Sequence, residues 1–154
     1  MEKLVKLLKA KGLNIASVES LTGGLFSAEI AEVSGASAVL VGSIVTYQTR
    51  IKEEIVHVNH DVILEYGVVS KEVAYEMAFN GAKLLDADIC VSFSGNAGPS
   101  VMENKQVGEV YCGLFCLGEM YTFSFMLKGT RNEIREEVVE KMKNNIIKIV
   151  EKLK

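Results

Sequence analysis

Apolar residues recur at helical spacing at the start of the chain. Leu4, Val5, Leu7 and Leu8 fall on one face of residues 2–11, with lysines opposite, and Gly12 supplies the stop. Residues 13–19 (LNIASVE) then alternate as a strand does. Next comes Ser20-Leu21-Thr22-Gly23-Gly24, and LFSAEIAEV behind it returns to the helical period until Gly35 breaks it. Residues 38–47 (AVLVGSIVTY) are rich in β-branched residues and predict a second strand. Two short helices are expected over 50–57 and 60–66, the second ended by Gly67. Ser70 is a good N-cap for a helix over 71–85, with Glu72 in its first turn.

The second half has the same texture. DICVSF at 88–93 is a short apolar strand that runs into Ser94-Gly95-Asn96-Ala97-Gly98-Pro99, which holds the only proline. Residues 107–117 and 120–127 predict a strand pair about Leu117-Gly118-Glu119. From 131 onward Ile134, Val138, Met142, Ile146, Ile149 and Leu153 keep helical spacing, and Thr130 with Glu133 forms a capping box. The order α-β-α-β-α-α-α-β-β-β-α predicts one α/β domain over 1–154. Its expected architecture is a three-layer α/β/α sandwich with a mixed, largely parallel central sheet and an antiparallel portion from the last strand pair.

Composition narrows the function classes. The chain has 154 residues, 49% hydrophobic and 24% charged, enough for one ordinary core. A net charge of −3 argues against a broad nucleic-acid surface, though a local pocket for one phosphate remains open. No signal peptide and no run of 18 apolar residues is evident, so no membrane partner is expected and the cytoplasm is the expected location. Three cysteines, Cys90, Cys112 and Cys116, without a CxxC pair read as buried thiols, not as a disulfide framework or zinc site.

Candidate chemistry collects in the loops after strands. Ligands in open α/β sheets bind at the carboxyl ends of strands, and glycines beside a helix N-terminus let backbone N–H groups approach an anion. Thr22, Gly23 and Gly24 in the first loop, and Gly95, Asn96 and Gly98 in the second, therefore suit a phosphorylated ligand. The plain alternative is that the glycines only turn the chain. Neither loop is a dinucleotide fingerprint or a P-loop. Tyr47 and Lys52 flank the end of the second strand. A lysine whose pKa is lowered toward neutrality can act as a base and activate a nearby serine, whereas a solvated helix lysine cannot. His57 and His60 have no accompanying ligand cluster, so no metal is expected and a Ser-His-Asp triad is disfavoured. Arg131, at the start of the last helix, could hold a phosphate or be an ordinary surface arginine.

Taken in order, these pieces resemble the CinA C-terminal family, the nicotinamide-nucleotide amidases. The family's Glu-Ser-Cys-Thr-Gly-Gly is matched by Glu19-Ser20-Leu21-Thr22-Gly23-Gly24, and its Gly-Ser-Ser-Ala by Gly35-Ala36-Ser37-Ala38. Its Tyr-Ser-Asn-x-x-Lys is matched by Tyr47-Gln48-Thr49-Arg50-Ile51-Lys52, and Gly-Ala-Val-Ser by Gly67-Val68-Val69-Ser70. Ser94-Gly95-Asn96-Ala97-Gly98-Pro99 stands for Ser/Thr-Gly-Ile-Ala-Gly-Pro, Gln106-Val107-Gly108 for Pro-Val-Gly, and Gly129-Thr130-Arg131 for Gly-Asp-Arg. The likeness covers nearly the whole chain and is to the stand-alone form, without the extra N-terminal domain of larger members.

The resemblance implies hydrolysis of the carboxamide of nicotinamide mononucleotide by a serine–lysine mechanism, with no cofactor or metal, in a homodimer. Carried over residue by residue, Ser37 is the nucleophile, with Ser20 the alternative, and Lys52 is its base. Tyr47 and Ser94 would assist or position, and Ser20 would share the pocket. The chain departs from the family pattern at Leu21, Thr49, Asn96 and Thr130, and the Ser100–Lys105 segment lacks the usual glycines. Those departures fall on substrate binding. The alternative to an enzyme is a nucleotide-sensing module of the same fold that keeps the pocket but not the rate.

Overall fold

Alternation along the strands sorts the core into two sides of one sheet. In a computed structural model, which describes residues 1–154, the helices are α1 (Glu2–Lys11), α2 (Leu25–Ala31), α3 (Thr49–Glu54), α4 (His60–Tyr66), α5 (Lys71–Leu84) and α6 (Arg131–Glu151). The strands are β1 (Ile15–Glu19), β2 (Leu40–Val45), β3 (Ile89–Gly95), β4 (Glu109–Cys116) and β5 (Glu119–Met126), and a short 3-10 turn at Ala36–Ala38 precedes β2. The predicted order of elements is the observed one.

The sheet runs β2-β1-β3-β4-β5. β1 is parallel to both β2 and β3, while β3–β4 and β4–β5 are antiparallel. Helical connections carry the chain back between parallel strands, and the Leu117-Gly118 turn closes the last hairpin, with Leu117 and Gly118 at φ 50° and 93°. Period two does the rest. Ile15 of β1 and Ile89, Val91 and Phe93 of β3 face α1, α2 and α6 in the larger core. Ala16 and Val18 of β1 and Cys90 of β3 point the other way, to Val73, Met77 and Ala82 of α5. This is the expected three-layer α/β/α sandwich.

Close approach of α5 to the sheet needs glycine on both partners. A Cβ at Gly81 would lie 2.9 Å from Cys90 Sγ and nearer still to Val18, and one at Gly113 of β4 would overlap the carbonyl of Ala74. Glycine costs a helix interior about 1 kcal/mol, so at Gly81 tight packing outweighs propensity. On the opposite face α6 buries Ile134, Val138, Met142 and Ile146 as the spacing predicts. Val139, Ile147 and Val150 are buried as well, while Ile149 and Leu153 are only half-buried. Thr130 and Glu133 form the capping box at its start.

Strand direction positions the functional loops. Because β1, β2 and β3 run parallel, the segments that follow them (Ser20 onward, Thr46–Tyr47 and Asn96–Gly98) emerge at one edge of the sheet. The turn that leads directly into β2, Ala36–Ala38, lies at the opposite end of these strands.

Candidate active site

Ser20 follows β1 directly and is fixed by its backbone, its N–H donating to Phe93 O at 3.0 Å. Across the gap between β1 and β2, Thr46 N–H donates to Glu19 O at 2.9 Å. These two bonds extend the ladders by one residue past the strand ends and bring the Ser20 and Thr46 segments side by side. Lys52, one turn into α3, reaches back between them. Its Nζ donates to Ser20 Oγ at 3.1 Å and to Thr46 O at 2.6 Å. Lys52 is 1% exposed. Burial disfavours the ammonium and lowers its pKa from 10.5 to about 8, although the Glu103 carboxylate acts in the opposite sense. The bland reading of Lys52 as a solvated helix lysine is excluded by this burial.

Ser37 does not join this pair. It is exposed in the turn before β2, whereas Lys52 follows β2. A six-residue strand, roughly 20 Å long, separates its two ends. The neighbouring Gly35 faces Lys9 of α1, at the amino edge of the parallel strands. The expectation that Ser37 meets Lys52 is therefore corrected, and Ser20 is the serine in contact.

A cleft of about 160 Å³ opens in front of Ser20, lined by Leu21, Tyr47, Gly95, Asn96, Ala97, Gly98, Ser100, Met102 and Arg131. Arg131 spans its rim: Nη1 donates to Gly98 O at 2.6 Å and Nη2 to the Tyr47 hydroxyl at 2.5 Å. Two of its five N–H groups are thus used for positioning and three remain for a ligand. The backbone N–H groups of Leu21, Ala97 and Gly98 donate to no protein acceptor and border the same cleft.

The first glycine loop behaves differently from expectation. Thr22, Gly23 and Gly24 do not line the cleft; Gly23 and Gly24 take φ of 58° and 99°, turning the chain into α2. The N-terminus of α2 is also already occupied. Glu19, fully buried, accepts from Phe26 N–H at 3.0 Å through Oε1 and from Ser27 N–H at 3.1 Å through Oε2. Its Oε2 also accepts from the hydroxyls of Ser17 and Ser43 at 2.8 and 3.2 Å. The protein's own carboxylate fills the anion position that the glycines seemed to offer a phosphate. Thr22 is buried, and its Oγ1 has no partner.

Ser94 also turns from the cleft. Its hydroxyl donates to Val68 O at 2.6 Å and ties the end of β3 to the segment before α5. Asn96 borders the cleft, but its side chain is committed to Met102, accepting from its N–H at 3.1 Å and donating to its carbonyl at 3.3 Å. His60 pairs with Glu53 on the surface, and no group of three or more metal-ligating side chains converges anywhere.

Two contributors were not singled out in the sequence. Glu19 enters the sequence reading only as the end of a strand and the first residue of a motif. Arg135 donates to Leu21 O at 3.0 Å and Thr22 O at 2.9 Å, clamping the loop that carries Ser20. Its signal was available: it stands four residues after Arg131, on the same face of α6.

A buried serine–lysine pair thus sits at the carboxyl ends of parallel strands in an α/β/α domain, beside a small cleft with free N–H groups and an arginine. The chain belongs to the CinA C-terminal domain family, whose sequence profile matches residues 1–150. A putative competence-damage inducible protein of Bacillus mycoides is 46% identical over 135 residues, which cover 87% of this chain and 33% of the relative. The chain thus spans about a third of the length of the curated relatives it matches. A CinA superfamily protein from Klebsiella pneumoniae superposes with a TM-score of 0.96 at 22% identity, covering 99% of this chain and 96% of that one. A competence/damage inducible protein from Agrobacterium tumefaciens gives 0.88 at 28% identity, covering 95% and 93%.

Proposed function

We propose that the chain hydrolyses the carboxamide of nicotinamide mononucleotide to nicotinic acid mononucleotide and ammonia, with Ser20 as nucleophile and Lys52 as its base. The observation that carries this reading is the Lys52–Ser20 contact. A lysine with a pKa near 8 is deprotonated in about a tenth of molecules at pH 7, which suffices for a general base. The neutral amine takes the Ser20 proton as Oγ attacks the amide carbon. Nζ then returns that proton to the departing nitrogen, and ammonia leaves an acyl-serine. Water, deprotonated by the same amine, attacks the acyl carbon and releases the carboxylate, restoring Ser20.

The oxygen that becomes negative in each step needs donors. The unpartnered N–H groups of Leu21, Ala97 and Gly98 are the candidates, since they border the cleft that holds Ser20. Arg131 meets the nucleotide phosphate with the N–H groups it does not spend on Gly98 and Tyr47. Tyr47 orients that guanidinium. Ser94 and Asn96 support the walls of the cleft, and Thr22, Gly23 and Gly24 shape the turn behind Ser20.

The test is release of ammonia from nicotinamide mononucleotide by the parent protein and by its Ser20→Ala and Lys52→Ala variants. Release by the parent but by neither variant supports the reading. Binding of the nucleotide without any release would replace it with a sensing module.

A further inference from the structure

The Ser100–Lys105 segment borders the cleft through Ser100 and Met102, and two consecutive residues fasten it there. Asn96 clasps both backbone groups of Met102, whose side chain borders the cleft. Glu103, the next residue, accepts from Val68 N–H at 2.7 Å through Oε1 and from Val69 N–H at 3.2 Å through Oε2. The carboxylate nests so closely on that backbone that a Cβ at Gly67 would overlap it. Glu103 and Asn104 both adopt positive φ, 58° and 54°, a conformation that side chains take rarely and that the two anchors hold in place. Val68 in turn accepts from Ser94 at the end of β3, so the fastening runs from the sheet to the loop.

We infer that Glu103 is a positioning residue for the Ser20–Lys52 pair: hooked on Val68 and Val69, it holds the 100–105 loop, and with it Met102, against the cleft in front of Ser20. This rests on the amidase reading for its purpose but not for its test. At Lys52 the Glu103 carboxylate opposes the effect of burial. The other ionisable groups around the cleft are engaged elsewhere: Arg131 and Tyr47 bond to each other, and Glu19 faces the N-terminus of α2. Burial alone would take the Lys52 amine further down, and the carboxylate holds it back.

The experiment is an NMR titration of the Lys52 Cε–Hε resonance in the full chain, with amide exchange of Val68 and Val69 measured on the same samples. In Glu103→Gln the Lys52 midpoint is expected to fall by about half a pH unit, the low end for a counter-charge on an exposed loop. The two amides are expected to exchange about tenfold faster. Glu103→Asp, which keeps the charge, should restore most of the midpoint. An unmoved or raised midpoint in Glu103→Gln overturns the proposal, even if exchange quickens, because the residue is then only a strap. Unchanged exchange overturns the latch. Ammonia release by the parent is assayed in parallel: its absence would defeat the amidase reading, while the titration still decides the role of Glu103.

Discussion

Lys52 Nζ and Ser20 Oγ, 32 residues apart in sequence, meet at 3.1 Å with Thr46 O as the third member of the contact. The pair exists because β1 and β2 run parallel and their following residues share one edge. It makes a sharp distinction between two serines. Ser20→Ala is expected to lower kcat for the nucleotide amide by at least about a thousandfold, as loss of a nucleophile does elsewhere. Ser37→Ala, at the far edge, is expected to stay within about twofold of the parent. Steady-state ammonia release from the two purified variants decides it; a silent Ser20→Ala substitution would remove Ser20 from the chemistry.

The lysine predicts a pH profile. Only the neutral amine accepts the serine proton, and it titrates at about 8. The logarithm of kcat/KM should therefore rise with a slope near one below pH 8 and level off above it. An activity flat between pH 6 and 9 would show that Lys52 is not the base.

The same burial predicts a stability effect. The unfolded chain keeps its lysine proton up to the ordinary 10.5, whereas the fold gives it up near 8. Between these values the folded state binds fewer protons, so stability rises with pH across that window, and the full penalty applies below pH 8. The shift corresponds to about 3 kcal/mol. Lys52→Met removes that penalty and leaves Thr46 O without its donor, which costs about 1–2 kcal/mol. The variant should be inactive yet more stable than the parent at pH 7 by about 1 kcal/mol. Its advantage should disappear toward pH 10. Denaturant unfolding at the two pH values measures this, and an advantage that grows with pH contradicts the argument.

How much of this was legible beforehand depended on whether the physics was local. Periodicity, caps and turn glycines exposed the elements, because each helix or strand carries its own pattern. Strand direction also excludes Ser37, since that residue precedes the strand that Lys52 follows; motif likeness alone does not register that difference. The role of Glu19 was hidden for another reason. It ends an apolar strand, and nothing in the neighbouring residues reveals that α2 folds its first N–H groups onto that carboxylate. Glycines 23 and 24 therefore looked like an anion site when the anion is built in. Asn96 is expected to touch ligand because its loop follows a strand, and Ser94 to assist because of its motif, but one amide and one hydroxyl are spent on Met102 and Val68.

In the proposed function Arg131 meets the phosphate and Ser20 the amide, so substitution can separate the two. Arg131→Lys loses the fork that donates to Gly98 O and the Tyr47 hydroxyl and that, in the proposed function, also meets the phosphate. Loss of one charged hydrogen bond, about 1.5–3 kcal/mol, raises KM by roughly ten- to a hundredfold with little change in kcat. The dephosphorylated nucleoside should be a poor substrate of the parent and almost indifferent to the substitution. Equal impairment of nucleoside and nucleotide would assign Arg131 to shaping the rim and not to the phosphate.

Glu19 tests whether the built-in anion sets the geometry of its neighbour Ser20. Its two oxygens accept four hydrogen bonds, and all four partners are donors: Phe26 N–H, Ser27 N–H and the hydroxyls of Ser17 and Ser43. In Glu19→Gln one oxygen becomes an NH₂ group. The two hydroxyls can turn to accept from it, but a backbone N–H cannot. Whichever way the amide is flipped, one of the first N–H groups of α2 faces a donor. A buried donor left without an acceptor costs about 1–3 kcal/mol, and loss of the charge facing the helix N-terminus adds up to about 1 kcal/mol. The variant should fold with stability reduced by about 1–4 kcal/mol. Because α2 is joined to Ser20 by only four residues, the displaced helix start should move Oγ relative to Lys52, lowering kcat by about tenfold or more while KM changes little. A variant as stable as the parent would show that the Glu19 carboxylate does not hold α2. One that is destabilised but has unchanged kcat would show that Arg135, through Leu21 O and Thr22 O, is enough to place Ser20.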